Sequence, residues 1–93
     1  MTLDAITTVA GTLAPRRTEA LNFELVSAHV DDLVLVSDDA MREAARWLWF
    51  ECGLAAELSG AAGIAALATG AVSVRPGSTV CALVCGAGTD GLA

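Results

Sequence analysis

The sequence contains no lysine, and its five cationic side chains are all arginine, set against eleven aspartates and glutamates. With no basic stripe, the chain has nothing to lay along the phosphates of DNA or RNA, so nucleic acid is excluded as a partner. Charge of either sign is scarce, at 17% of residues where about 25% is usual. The acids are scattered and serve solubility. Cysteine is sparse too. Cys52, Cys81 and Cys85 form neither an even disulfide set nor a C-x-x-C pair. Their apolar surroundings predict buried free thiols in a reducing, cytoplasmic setting. No apolar run suits a membrane. The best candidate, residues 58–72, is fifteen residues of mostly Ala and Gly with Glu57 at its edge, short of the ~20 that span a bilayer. The opening MTLDAITTVAGTLAPRR lacks a charged start followed by an apolar core and does not read as a secretory signal.

What is abundant is apolar material. It makes up 55% of the 93 residues, and nine glycines raise that to about 65%, against roughly 45–50% for an ordinary globular chain. A chain this short is one domain at most and leaves much of its surface in water. Packing against something large is therefore expected: the rest of an enzyme, or a partner chain.

Residues 1–17 read as an irregular lead-in. From Thr18, TEALNFELVSAHV places Leu21, Leu25 and Ala28 on one face of a helix that Asp31 and Asp32 break. His29 sits at its end, where the dipole favours a cation. Residues 33–36, LVLV, read as a buried strand. Ser37-Asp38-Asp39 is the clearest helix start, with Ser37 as cap and a stop at Gly53. Met41, Ala44, Ala45, Leu48 and Cys52 form the inner stripe, while Trp47, Trp49 and Phe50 widen it toward a core or an interface. Ser59 then caps a helix of small residues, whose backbone can come very close to a neighbour. Arg75-Pro76-Gly77-Ser78 is a turn. Residues 79–85 are apolar enough for a strand covered on both faces. The alternation of helices and strands gives an α/β class. Two strands make no stable sheet alone, so others must come from elsewhere.

The run CALVCGAGTDG spells G-x-G-x-x-G at Gly86, Gly88 and Gly91. A dinucleotide loop needs a helix directly after it and an acid about 20 residues on. Two residues follow Gly91, so that reading is set aside. A plain glycine turn remains open, as does a polar atom presented to a ligand at a strand end. The aspartate pairs have no further ligand at metal spacing, so no metal site is expected. No G-x-S-x-G stretch supports a hydrolase.

Two segments together, WLWFECGLAAELSGAAGIAAL and PGSTVCALVCGAGTDG, resemble the C-terminal part of fold-type II pyridoxal-phosphate enzymes of the threonine and serine dehydratase kind. Their pattern is a helix ending in glycine, a Glu before a small-residue helix, and an apolar strand ending in S/C-G-G/A-N. The lead-in TTVAGTLAP is similar to a T-I-A-D-G-L-A segment of the same family. The resemblance implies a partial three-layer fragment of a tryptophan synthase β-like fold, alternating helices with a few parallel core strands. It implies that residues 1–93 are the C-terminal portion of a lyase that turns threonine or serine into a 2-oxo acid and ammonia, and that is a homo-oligomer when complete. Pyridoxal 5'-phosphate is the implied cofactor and an amino acid the implied substrate.

Residue by residue, the resemblance puts Cys85 beside the pyridine nitrogen, Gly86 and Ala87 along the ring, and Glu57 on its ring side. Without the resemblance, Cys85 is a packing thiol and Glu57 a cap on the small-residue helix. Gly88 departs from the pattern's Asn, and Gly11-Thr12 from its Asp-Gly. The phosphate-cradling glycine loop is absent. The alternative reading is a non-catalytic acidic α/β module that docks on a partner chain.

The cofactor is held covalently through a lysine, and this chain has none. The isolated chain, mixed with pyridoxal phosphate and reduced with borohydride, is expected to show no pyridoxyl adduct on any internal residue and no turnover. Peptide mass mapping checks this, and an internal adduct refutes it.

Overall fold

The computed structural model describes Thr8, Ala10 and residues 19–92. Among these residues the chain forms α1 (Ala20–His29), α2 (Asp38–Cys52), a 3-10 turn (Ser59–Ala61) running into α3 (Ala62–Ala68), and a second 3-10 turn (Asp90–Leu92).

The organising element is α2. The Ser37 hydroxyl accepts from the Ala40 N–H at 3.1 Å, and Asp38 and Asp39 occupy the positive end of the helix dipole. The helix closes at Gly53, whose left-handed φ of 68° is cheap only for glycine, and the Leu54 N–H returns to the Leu48 carbonyl at 2.9 Å. Both ends agree with the sequence reading. Met41, Ala44, Ala45 and Leu48 are buried as expected, whereas Cys52 is exposed. Trp47 and Phe50 stand open, Phe50 with the Arg46 guanidinium 5.4 Å above its ring.

The small-residue segment folds as a 3-10 turn followed by α3, and Ser59 makes no side-chain cap. Ala61, Ala65 and Ala66 face α2. With Ala10, Ala56 and Leu58 they complete a core in which alanine outnumbers every larger residue. Thr8 ties the lead-in to α2, since its hydroxyl donates to the Asp38 carboxylate and accepts from the Ala10 N–H. The rest of TTVAGTLAP, including Gly11 and Thr12, lies outside the described residues. The turn at residues 75–78 closes through Ser78 N–H to the Arg75 carbonyl at 3.1 Å.

The expected α/β architecture is not present. The described residues contain no strand, so neither the three-layer, tryptophan synthase β-like arrangement nor its parallel core strands are formed. Residues 33–36 form no regular structure and pair with no other described segment, with Leu33 76% and Leu35 96% exposed. In residues 79–85 only Ala82 and Val84 turn partly inward, and Leu83, Cys81 and Cys85 face out. The reason is physical. Strand-forming side chains stabilise a strand only where a neighbouring segment takes the backbone hydrogen bonds and covers the faces. Among the described residues neither run has such a neighbour, and the one β-type pairing is an antiparallel bridge between Ala56 and Ala87. The three thiols, expected to be buried, are exposed, Cys81 and Cys85 for the same reason and Cys52 at the end of α2. The helix expected from Leu21, Leu25 and Ala28 does form as α1, yet it buries nothing and packs on no other described element.

Residues 82–86 instead lie across the small-residue segment. A β-carbon on Gly60 would fall 1.6 Å from the Cys85 carbonyl oxygen, while one on Gly53 would meet nothing within 4 Å. Gly60→Ala is therefore expected to destabilise by about 3 kcal/mol through overpacking. Gly53→Ala is expected to cost about 1 kcal/mol through its φ alone. Urea unfolding followed by fluorescence of Trp47 and Trp49 separates them, and equal costs would show that Cys85 is not seated on Gly60.

Candidate functional site

Two segments 30 residues apart in sequence meet at one edge of the core. Residues 54–57 follow α2, and residues 84–88 come off the apolar run. Around the Ala56–Ala87 bridge, the Glu57 N–H donates to the Gly86 carbonyl at 2.9 Å and the Gly88 N–H to the Ala55 carbonyl at 3.1 Å. A third bond comes from a side chain: the Leu58 N–H donates to Asp90 Oδ2 at 2.7 Å.

The three glycines of the G-x-G-x-x-G run are contact points, two of them against Glu57 and one against α2. A β-carbon on Gly86 would lie 2.3 Å from Glu57 Oε1, one on Gly88 3.0 Å from the Glu57 β-carbon, and one on Gly91 2.4 Å from the Ala45 carbonyl oxygen. Gly86 also turns the chain at φ 77°. The run ends inside the 3-10 turn Asp90–Leu92, which packs on α2. The cluster thus works as a packing device.

Residues 54–56 and 84–87 line a hollow of about 240 Å³. Its walls are small or apolar, and the Cys85 sulfur is its one reactive group. Glu57, half-buried, lies beside it with its carboxylate against Gly86. The structure therefore brings together all three residues singled out in the sequence, Glu57, Cys85 and Gly86. Asp90 escaped the sequence reading. Its signal was an Asp-Gly pair directly after a glycine cluster, a pattern that marks turns where a carboxylate accepts from a backbone N–H. Among the described residues no group of three or more His, Cys, Asp or Glu side chains is placed to hold a metal ion, and no helix is long and apolar enough to cross a membrane.

Residues 2–86 match the sequence model of a family described as pyridoxal-phosphate dependent enzyme. A curated relative, phenylserine dehydratase from Ralstonia pickettii, is 38% identical over 88 residues, which take in 95% of this chain and 27% of that protein. The chain thus spans about a quarter of the length of the curated relative it matches. No solved structure matches it.

Gly88 is the position where side-chain volume bears most directly on the Glu57 backbone. Gly88→Asn is expected to push the two segments apart and to speed exchange of the Glu57 amide about fivefold, the equivalent of roughly 1 kcal/mol of crowding. Amide hydrogen exchange measures it, and unchanged protection would refute the close approach.

Proposed function

This chain belongs to the pyridoxal-phosphate dependent enzyme family, and from that premise we propose that it is the C-terminal portion of an ammonia-lyase acting on a β-hydroxy amino acid. The cofactor of the complete enzyme is pyridoxal 5'-phosphate. The substrates in view are threonine and serine, with phenylserine added by the name of the curated relative. All three carry a hydroxyl on the carbon next to the one bearing the amine, and its loss leads to a 2-oxo acid and ammonia.

The residues present fit one wall of a cofactor site and not its anchor. The hollow is shallow, its walls are small, and Gly86 has no side chain to stand off a flat ring. An exposed thiol at its rim is a weak hydrogen-bond partner. There is no lysine for the covalent link, and no arginine lines the hollow to meet a phosphate.

When bound, the cofactor supplies an electron sink for the carbon that loses its proton. This chain's part is to shape the ring's surroundings. Cys85, as a weak donor and acceptor, would leave the pyridine nitrogen largely unprotonated, which tunes the sink below its maximum. Gly86 and Ala87 would lie flat along the ring. Glu57 would act through local hydrogen bonding rather than proton transfer. The amine that removes the proton belongs to another stretch of polypeptide.

The observation that supports the reading most is the Glu57–Gly86 hydrogen bond at 2.9 Å, which sets the glutamate and the thiol-bearing segment at one hollow. The complete protein would supply the lysine and the phosphate site, would cover the open faces of this portion, and would be a homo-oligomer. A second reading, a non-catalytic module that docks on a partner, draws on the bare face of α1.

The complete protein, supplied with threonine, serine and phenylserine, is expected to release 2-oxo acid and ammonia in equal amounts from at least one of them. Cys85→Ser is expected to stay within a fewfold of the original rate. Cys85→Asp, which places a charge beside the ring, is expected to shift the cofactor's absorbance and lower kcat about tenfold, or about 1.4 kcal/mol of barrier. No product from any substrate sinks the lyase reading, and an absorbance indifferent to Cys85→Asp sinks the role of the thiol.

A further inference from the structure

The family match ends at residue 86, short of a side chain that ties the site to the body of the fold. We propose that Asp90 is a positioning residue that fixes Cys85 at the rim of the hollow, an inference that rests on the proposed cofactor-facing role of that wall. Asp90 does not line the hollow; it acts through the backbone.

Leu58, which follows Glu57, is buried. Its N–H would lose its hydrogen bond to water without gaining another, were it not for Asp90 Oδ2 at 2.7 Å. A carboxylate acceptor makes this the strongest type of bond in the pairing. The residue after Asp90 is seated separately. Gly91 lies against the Ala45 carbonyl of α2, and the Leu92 N–H closes the turn on the Thr89 carbonyl at 2.9 Å. Asp90 therefore joins a turn fixed on α2 to the residue next to Glu57.

Residues 85–90 hang between two fixed points. At the near end the Cys85 carbonyl rests on Gly60. At the far end is the Asp90–Leu58 bond. Between them are two backbone hydrogen bonds, Glu57 to Gly86 and Gly88 to Ala55, and glycines at 86 and 88 that add no side chain to stiffen the span. Removing the carboxylate leaves the turn seated on α2 but unties Leu58 from it, so that residues 55–57 and 86–88 can part. The thiol then loses its fixed direction.

The test uses the complete protein with Asp90→Ala, Asp90→Asn and Asp90→Glu. Asn keeps an acceptor oxygen in place and loses the charge. Glu keeps the charge and displaces the acceptor by one methylene. Ala and Glu are expected to shift the cofactor's absorbance and to lower kcat about tenfold with KM unchanged, while Asn stays close to the original protein. A cofactor-free readout runs beside it. With Cys52 and Cys81 replaced by Ser, the rate of Cys85 alkylation by iodoacetamide is expected to rise about tenfold in Ala and Glu and to hold in Asn. Should the Ala variant not fold, the contrast between Asn and Glu decides. Unchanged alkylation in Glu, or an Asn variant as damaged as Glu, overturns the proposal. A parent protein with no cofactor absorbance overturns the reading of the wall, and the alkylation pattern then judges Asp90 by itself.

Discussion

The carbonyl oxygen of Cys85 lies where a β-carbon on Gly60 would be, and the position of every group at the site follows from that approach. With no side chain at 60, the apolar run settles directly on the start of the small-residue segment. That brings residue 86 level with Glu57, where the backbone hydrogen bond can close. The same device recurs on the other segment of the pairing. Gly86 and Gly88 leave room for the glutamate's side chain and main chain in turn, and Gly91 lets the last turn settle on α2. The arrangement trades apolar area for proximity. A core made largely of alanine removes little surface from water, so close atomic contact and hydrogen bonds carry a larger share than in a core of branched side chains.

This economy of side chains bears on chemistry. A wall of glycine and alanine with a thiol at its rim offers a planar ligand a smooth surface and one weakly polar atom. It cannot grip such a ligand, since it has no cation for a phosphate and no amine for a carbonyl. The chain spans about a quarter of the length of its curated relative.

The parts of the fold legible in the sequence were those whose causes are local. Ser37 and Gly53 mark the ends of α2 because a cap and a left-handed residue act within one turn of themselves. The turn at 75–78 and the close approach at the small-residue segment were readable on the same grounds. The strands were misread because a strand's stability resides in its neighbours. Residues 33–36 and 79–85 have the right side chains, but among the described residues no adjacent segment pairs with them as a strand. The burial of the cysteines failed with them. Glu57, Cys85 and Gly86 could be named from a motif resemblance, though nothing in their spacing says that they meet. Asp90 was missed because its partner is a backbone N–H 32 residues away, and main-chain partners leave no mark on composition or periodicity.

The molecule measures 39 × 34 × 18 Å, and its least dimension is less than two helix diameters of about 10–12 Å each. A slab that thin has broad flanks and almost no interior. Most of its larger apolar side chains, from Leu21 on α1 to Leu83 beside the hollow, lie on those flanks. Any molecule that binds only the ordered form of such a slab would add stability that grows with the logarithm of its concentration.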